Sequence, residues 1–200
     1  MKNIIKYFSE IFMLKRVKRN GWKLAGVPMS LCETIGEHEI VMAKIAYVLG
    51  EMEGLDPEKC ALIALFHDDG EIRIEDQTKI ASRYIVKGGA EMNALKDQVA
   101  NLPQGLGEKI VSLVSQEEKR NTREGIVVKD ADWLEVALQA KIYLEQGFMG
   151  CQDWIDNVEK ALETKSAKEI LAEIKKEEDF VNCWWRGLKS MTYKKLEKKR

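Results

Sequence analysis

Hydrophobic residues recur along most of this chain with the period of a helix. In the first dozen residues, the positions that share one helical side are all apolar: Ile4, Phe8, Ile11 and Phe12. Similar patterns continue towards the C-terminal end, and no segment shows the strict alternation of apolar and polar residues that a half-buried strand requires. The pattern therefore predicts an all-α fold.

Thr34 marks the start of the second predicted helix. It stands three residues before Glu37, the spacing of a capping box, in which each side chain binds the other residue's backbone N–H. The apolar face that we predict for this helix consists of Val41, Ile45, Val48, Leu49 and Met52. The third helix follows after Asp56-Pro57, and its sequence CALIALF is apolar on all sides, which is typical of a buried helix.

The C-terminal part is predicted to contain a helix around Trp154 and then one long helix. We interpret Ser166 and Glu169 as the capping box that opens the long helix. The chain shows no linker and no repeat, and a hydrophobic content of 45% is enough for one core. We therefore expect a single domain over 1–200, with a core at about 15–147 and C-terminal helices at 151–190 that pack on it.

Charge and cysteine usage narrow the classes of function. The 32 basic and 33 acidic residues nearly cancel, whereas a nucleic-acid-binding protein normally has a clustered basic excess. Lys79, Arg83 and Lys87 form one short basic stripe, interpreted as a solvated helix face or as a rim that attracts a small anion. The four cysteines include no C-x-x-C pair, which favours reduced thiols in a cytoplasmic protein. We expect no nucleic-acid partner and no membrane span.

The two histidines of the chain both stand at predicted helix ends. His38 falls in the first turn of the second helix, and His67 ends the buried third helix, directly before Asp68. A carboxylate at the end of a core helix is costly unless it is paired or bound to a cation. Imidazoles combined with carboxylates suit Mn, Co, Fe, Ni or Zn better than Mg or Ca. The pattern therefore predicts a site for one divalent metal ion.

A further ligand is expected from the long helix predicted at about 126–146. Asp132, Glu135 and Gln139 form a polar stripe on this otherwise apolar helix. Asp130 competes with Asp132, but the two point about 200° apart around the helix. We prefer Asp132 because it shares its face with Glu135. The plainer interpretation is a hydrogen-bonded histidine and an ordinary helix end, although two adjacent carboxylates at a helix C-terminus require a compensating positive charge.

Four sequence blocks together resemble one known family. The blocks are KRNGW at 18–22, ETIGEHE at 33–39, ALFHDDGEIRIED at 64–76 and VKDADWLEVALQA at 128–140. In order and separation they resemble the HD superfamily of metal-dependent phosphohydrolases, and within it the branch of 5′-deoxynucleotidases. The resemblance implies an HD-type helical bundle, a homodimer, and release of phosphate from nucleoside 5′-monophosphates, with deoxyribonucleotides preferred.

The resemblance also implies a role for particular residues. The implied metal ligands are His38, His67, Asp68 and Asp132. Glu71 and Asp76 would be the acid/base and water-positioning carboxylates, Arg19 would contact the substrate phosphate, and Trp22 would pack against the sugar.

The sequence departs from the family pattern at three places. Glu75 stands where a glycine is usual, which predicts a reshaped turn before Asp76. Ser82 lies near a position where lysine is common, with Arg83 as the possible substitute, and Asn20-Gly21 separates Arg19 from Trp22. These changes bear on the substrate rather than on the metal site.

Three alternative functions compete with this one. A cyclic-dinucleotide phosphodiesterase would need additional histidines, and an alarmone hydrolase a different spacing after His67-Asp68. A non-catalytic HD module that binds a nucleotide as a sensor or scaffold remains the main alternative.

Overall fold

The computed structural model describes residues 1–85, 89–103 and 105–188. Within these ranges the secondary structure is helical, and the β-type pairing is a single isolated bridge between Lys18 and Thr34. The predicted all-α class is confirmed. None of the helices in this part of the chain combines the length and the apolar content needed to cross a bilayer.

The α-helices of the described ranges are α1 Lys2–Ile11, α2 Ile35–Met52, α3 Pro57–Phe66, α4 Glu71–Ile74, α5 Ala90–Val99, α6 Leu106–Lys119, α7 Arg123–Glu145, α8 Gln152–Ala161, α9 Lys165–Lys176 and α10 Phe180–Cys183. Short 3-10 helices cover Phe12–Lys15, Asn20–Ala25, Ala81–Arg83 and Met149–Cys151.

Helix α7 is the central element of the bundle. It spans 23 residues, and α2, α3, α6, α8 and α9 all pack against it. Its buried apolar residues include Val128, Ala131, Leu134 and Ala137, which form part of the main core. A polar side chain on this helix is therefore placed in the interior of the molecule.

A smaller core joins α1, α5 and α6. Its buried members are Tyr7, Met92, Leu95, Val99, Ile110 and Val114. Since α6 also packs on α7, this cluster is connected to the main bundle.

The capping box of α2 is present, but its predicted apolar face is largely wrong. The Thr34 hydroxyl accepts from the Glu37 N–H, and the Glu37 carboxylate accepts from the Thr34 N–H. The side chains of Val41, Val48 and Met52 are exposed; the buried face holds Met42, Ala43, Ala46, Leu49 and Gly50. Small residues face inwards because α3 packs close: a Cβ on Gly50 would lie 3.1 Å from the Cα of Pro57.

The C-terminal prediction of one long helix is also wrong. α9 ends at Lys176, and the short helix α10 follows after a break. The capping box is absent, because the Ser166 hydroxyl donates to Glu53 instead of serving a helix end. α8 and α9 pack on α7 as expected, while the boundaries of a single domain stay a prediction. Residues 189–200 and Lys87 of the basic stripe lie outside the described residues.

Candidate metal centre

Side chains from three helical segments meet at one point inside the bundle. His38 lies in the first turn of α2, and Asp132 lies near the middle of α7. His67 and Asp68 directly follow α3. One ligand atom each of His38, His67 and Asp132 lies within 4.8 Å of the others. Asp68 joins them, since its Oδ2 lies 3.1 Å from Nε2 of His67 and 3.9 Å from Nε2 of His38.

The two imidazoles provide the observation that tests whether a metal fits. The Nε2 atoms of His38 and His67 are buried, and although carboxylate oxygens lie 3.4 and 3.1 Å away, their geometry leaves both nitrogens without a hydrogen bond. Buried polar atoms almost always have a partner, so two unpartnered nitrogens beside two carboxylates call for a cation. The donor set of two imidazoles and two carboxylates fits a divalent ion of the Mn-to-Zn series. The structure thus brings together the four predicted ligands, whose role as ligands stays a prediction.

Each imidazole is held from behind through its other nitrogen. Nδ1 of His38 lies 2.6 Å from Oε2 of Glu135, and Nδ1 of His67 lies 2.8 Å from the carbonyl oxygen of Ala64. Because both partners are acceptors, each Nδ1 carries the proton and each Nε2 presents its lone pair. Such a carboxylate or carbonyl behind a histidine is the usual way in which a metal-ligating ring is oriented.

Lys129 balances the charge of Asp132. Its Nζ lies 2.9 Å from Oδ2 of Asp132 and 2.9 Å from Oε1 of Glu117. Burial on its own raises the pKa of Asp132, but the charge of Lys129 and the neighbouring His38 hold it well below its ordinary value. Asp132 is therefore ionised, and its other oxygen, Oδ1, faces His38 at 3.4 Å.

Asp130 points away from the centre. Its carboxylate accepts hydrogen bonds from the backbone N–H groups of Glu163 and Thr164 and from the Thr164 hydroxyl. Asp130 thus holds the connection between α8 and α9, which leaves Asp132 as the α7 aspartate at the site.

Arg19 lies directly beside the predicted ligands. Its Nη1 donates to Oδ2 of Asp68 over 2.7 Å, and its Nη2 lies 3.8 Å from Oδ1 of Asp132. The guanidinium therefore occupies the rim of the centre, where a phosphate could contact both the arginine and a bound cation. Its predicted contact with substrate stays a prediction.

Glu71 and Asp76 line the same cavity, which has a volume of about 220 Å³ and is called the metal cavity below. Glu71 is buried, and its Oε2 has no hydrogen-bond partner. Burial, and then the negative charges of Asp68 and Asp76, raise the pKa of Glu71 to about 10. Asp76 is partly exposed, and its Oδ2 accepts from the N–H of Gly21, which ties it to the loop that carries Arg19.

Comparison with known proteins identifies the family. Residues 11–176 match the HD domain family. The chain belongs to this family. It is 33% identical over 156 residues to 5′-deoxynucleotidase HDDC2 of Dictyostelium discoideum, covering 73% of this chain and 80% of that protein. It is 29% identical over 182 residues to the Bos taurus protein of the same name, covering 88% and 86%.

A solved structure supports the same assignment. A conserved hypothetical protein from Pyrococcus furiosus superposes with a TM-score of 0.71 at 32% identity, covering 86% of this chain and 99% of that one. The predicted resemblance to HD-domain 5′-deoxynucleotidases is therefore confirmed. HD domains are metal-dependent, and the His/Asp cluster of this chain is one that could hold a metal ion.

The turn before Asp76 has, at Glu75, a backbone conformation that suits glycine, and its predicted reshaping stays a prediction. Glu75 has φ +62° and ψ 159°, a conformation that side chains with a Cβ rarely adopt. The turn is strained at Glu75, so the departure costs conformational energy at this position.

Near Ser82, where the family resemblance implies a lysine, the basic side chain at the cavity is not the expected Arg83. Ser82 lines the metal cavity, whereas Arg83 is exposed and does not line it. Lys79 does line it, with its Nζ 4.7 Å from the centre of the Trp133 ring. The positive charge at this wall of the metal cavity therefore comes from Lys79 and not from Arg83. Lys79 was part of the basic stripe in the sequence analysis, but only the fold shows that it lines the cavity.

Trp22 is chiefly a packing residue of the HD domain. Its side chain is buried, its indole N–H donates to Oε1 of Glu33 over 2.9 Å, and its ring contacts Tyr143 and Trp154. Trp22 also reaches the wall of the metal cavity, so its predicted contact with a sugar stays a prediction.

Several residues of the site escaped the sequence reasoning. Lys129 stands three residues before Asp132, a helical pairing distance that indicates an ion pair but no role at a metal centre. Trp133 and Trp154 also line the metal cavity. Glu33 forms a second carboxylate group with Glu135 around His38, and burial raises its pKa to about 7. Because this second group shares His38 with the predicted ligands and lies on the Nδ1 side of its ring, it orients that ring rather than forming a separate site.

Proposed function

We propose that this HD-domain protein is a metal-dependent phosphohydrolase that releases phosphate from nucleoside 5′-monophosphates and prefers deoxyribonucleotides. The observation that carries the proposal is the pair of buried, unpartnered imidazole nitrogens beside two carboxylates, next to a cavity with an arginine at its rim. The names of the relatives, 5′-deoxynucleotidases at 33% and 29% identity, support the substrate class.

The proposed cofactor is one divalent ion of the Mn, Co, Fe, Ni or Zn group, with Mg less suited to two imidazoles. His38, His67, Asp68 and Asp132 would hold it. When bound, such an ion neutralises phosphoryl oxygens and makes water more acidic.

Arg19 is proposed to bind the phosphate. A guanidinium has five N–H donors, and the hydrogen bond to Asp68 uses Nη1, so other donors remain for phosphate oxygens. Phosphoryl transfer depends on positioning and charge neutralisation more than on covalent chemistry, so an arginine fixed at the rim would orient the phosphorus for in-line attack.

Glu71 and Asp76 are proposed to move the protons of the reaction. Glu71 is buried beside the predicted ligands, and its raised pKa keeps it protonated without a cation. The positive charge of a bound cation would lower this pKa, so that the carboxylate could take the proton that the attacking water must lose as the new P–O bond forms. Asp76, held by the Gly21 N–H, would orient a bridging water that gives the departing 5′-oxygen the proton it must gain, and the proton released by the attacking water would replace the one this water gives up. General acid–base help of this kind contributes about a hundredfold or more to the rate.

The proposal also includes the setting in which the enzyme works. All four cysteines are free thiols, which supports a cytoplasmic location. Exposed apolar side chains on α2 support the expected homodimer. We propose no nucleic-acid or membrane partner, in keeping with the balanced charge.

The test is hydrolysis by protein loaded with Mn or Co, assayed against deoxyribonucleoside and ribonucleoside 5′-monophosphates and an artificial phosphoester. We expect turnover with a preference for the deoxyribonucleotides, and loss of at least about a thousandfold in Asp68→Ala and His67→Ala. Asp97→Asn is the control, because this aspartate is exposed on α5 and does not line the metal cavity. Tight nucleotide binding without turnover would instead establish the non-catalytic module.

A further inference from the structure

A second cavity opens beside the metal cavity. Its volume is about 330 Å³, and it is called the side cavity below. The two cavities share four wall residues, which are Lys79, Trp133, Val136 and Trp154. The two cavities are therefore neighbours, and these four side chains lie between them.

The walls of the side cavity offer fixed aromatic surfaces. Trp154 packs against Trp22 with ring centres 4.8 Å apart, and a Cβ at Gly21 would lie 2.7 Å from its ring, so glycine is what admits the indole there. Trp133 is flanked by the Nζ atoms of Lys79 and Lys129, at 4.7 and 5.1 Å from a ring centre. Indole rings fixed in this way favour contact with planar heteroaromatic rings, whichever base these belong to, on the ring surface that the two ammonium groups and Trp22 leave uncovered.

The side cavity lies beside a part of α7 that begins directly after Asp132. Asp132, Trp133 and Val136 follow one another on α7, and Val136 lies one turn, about 6 Å, further along the axis than Asp132. The metal centre, the shared wall and the side cavity thus follow in the order of phosphate, sugar and base in a nucleoside 5′-monophosphate.

The polar edge of the side cavity comes from one face of α8. Asp153 and Asn157 are one turn apart, and Nδ2 of Asn157 donates to Oδ2 of Asp153 over 3.0 Å. An ionised aspartate can only accept hydrogen bonds. Cytosine, adenine and guanine carry exocyclic amino groups that can donate to it, whereas thymine presents a carbonyl oxygen at the corresponding place.

We propose that the side cavity is the nucleobase subsite of this enzyme. Trp133 and Trp154 provide the surfaces on which the base packs, and Asp153, oriented by Asn157, favours bases with an exocyclic amino group over thymine. This inference rests on the proposed function, since it assigns the second half of the same substrate.

The experiment compares substrates that differ only in the base. Mn-loaded wild-type protein is assayed for kcat and KM with dCMP, dTMP and 2-deoxyribose 5-phosphate, which lacks a base. We expect kcat/KM to be highest for dCMP, and to fall about tenfold or more for the base-free substrate, mainly through KM. In Trp133→Leu, the ratio of kcat/KM for dCMP to kcat/KM for 2-deoxyribose 5-phosphate should fall most of the way to one, whatever change the two substrates share.

Asp153→Ala and Asn157→Ala are the second pair of variants, and both change exposed residues of α8, so folding is preserved. Each should bring the ratio of kcat/KM for dCMP and dTMP towards one. Asp156→Ala, on the same helix but outside the side cavity, should leave that ratio unchanged.

Failure of the subsite and failure of the proposed function give different results. If wild-type protein hydrolyses none of the three phosphate esters, the proposed function is wrong. If it hydrolyses them but Trp133→Leu slows the base-free substrate as much as dCMP, the indole wall does not bind the base. If kcat/KM of the wild type is equal for dCMP and dTMP, or if Asp153→Ala and Asn157→Ala keep the wild-type ratio, the proposed role of Asp153 in base selection is wrong.

Discussion

At the scale of single residues, the contact between Glu135 and His38 has the clearest consequence. The carboxylate fixes the proton on Nδ1 and makes the imidazole a stronger donor at Nε2. His38 is fully buried, so without Glu135 its ring would lose the partner that sets both its tautomer and its orientation.

We therefore expect Glu135→Ala to weaken metal binding by about 10- to 100-fold, with Glu135→Gln recovering part of the loss because its amide oxygen still accepts from Nδ1. Titration calorimetry with Mn measures the dissociation constant directly. Gln139→Ala, one turn further along α7, is the control and should bind Mn like the wild type. Equal affinity in all three variants would show that Glu135 does not position a ligand.

Glu75 carries a strain that a single substitution can remove. At φ +62° and ψ 159° a Cβ costs about 1 to 3 kcal/mol, and glycine adopts this backbone freely but loses more chain entropy on folding. We expect Glu75→Gly to raise the free energy of unfolding by about 1 kcal/mol, measured by urea denaturation. Glu169→Gly, in the middle of α9, should lower it by about 1 kcal/mol. A loss of stability in Glu75→Gly would mean that its side chain makes a stabilising contact.

The residues that sequence reasoning could identify are those whose chemistry is unusual where they stand. Two histidines and adjacent aspartates at helix ends have few plain explanations, and the family blocks supplied Glu71, Asp76 and Arg19. Lys129 and Trp133 could not be assigned in the same way. A lysine and a tryptophan on a helix are ordinary, and their role arises only when α6 and the segment of Lys79 approach α7.

At the scale of secondary-structure elements, close helix packing explains both the success and the errors of the sequence analysis. The helix starts at Thr34 and Asp56 were predicted correctly because capping is a short-range interaction. The same signal at Ser166 failed because a distant residue, Glu53, accepts from its hydroxyl. The prediction for α2 was wrong because it took the helical face with the large aliphatic residues as the buried one, whereas the buried face consists largely of small residues. Ala43, Ala46 and Gly50 lie on the buried side of α2, which packs on α3 and α7. The helices can come this close because these side chains are small or absent.

Gly125 shows how such an approach positions the metal centre. It lies in the first turn of α7, and a Cβ there would lie within 2.6 Å of both the carbonyl carbon and the carbonyl oxygen of Gln116 on α6. The two helices can therefore cross only because this position has no side chain, and the crossing places Glu117 beside Lys129.

We expect Gly125→Ala to lower the free energy of unfolding by about 1 to 3 kcal/mol, although alanine favours helices over glycine by about 1 kcal/mol. Thermal unfolding followed by circular dichroism measures the change. Glu118→Ala, at an exposed position of α6, is the control and should be neutral or slightly stabilising. A stabilised Gly125→Ala protein would show that α6 moves aside at little cost.

At the scale of the whole molecule, exposed apolar side chains form a continuous stripe on the outer side of α2. Val41, Val48 and Met52 are 43%, 52% and 53% exposed and recur at helical spacing. This is the stripe that the sequence analysis assigned to the core. Its pattern is that of a buried face, and an apolar stripe on the outside of a folded chain indicates a contact with another molecule. A second copy of the chain, as expected for the predicted homodimer, would give this stripe its buried partner.

We therefore expect the wild-type protein to be a dimer in solution, and Val48→Glu to weaken the dimer by about a hundredfold or more, because the substitution buries an unpaired charge at the contact. Sedimentation equilibrium over a range of protein concentrations measures the dissociation constant. Lys168→Glu, an exposed change on α9, should leave it unaltered. The metal centre lies on the inner side of α2, so the monomeric Val48→Glu protein should still bind Mn with wild-type affinity. A wild-type dimer that survives Val48→Glu would place the interface elsewhere, and a wild-type monomer would leave the α2 stripe without the partner inferred for it.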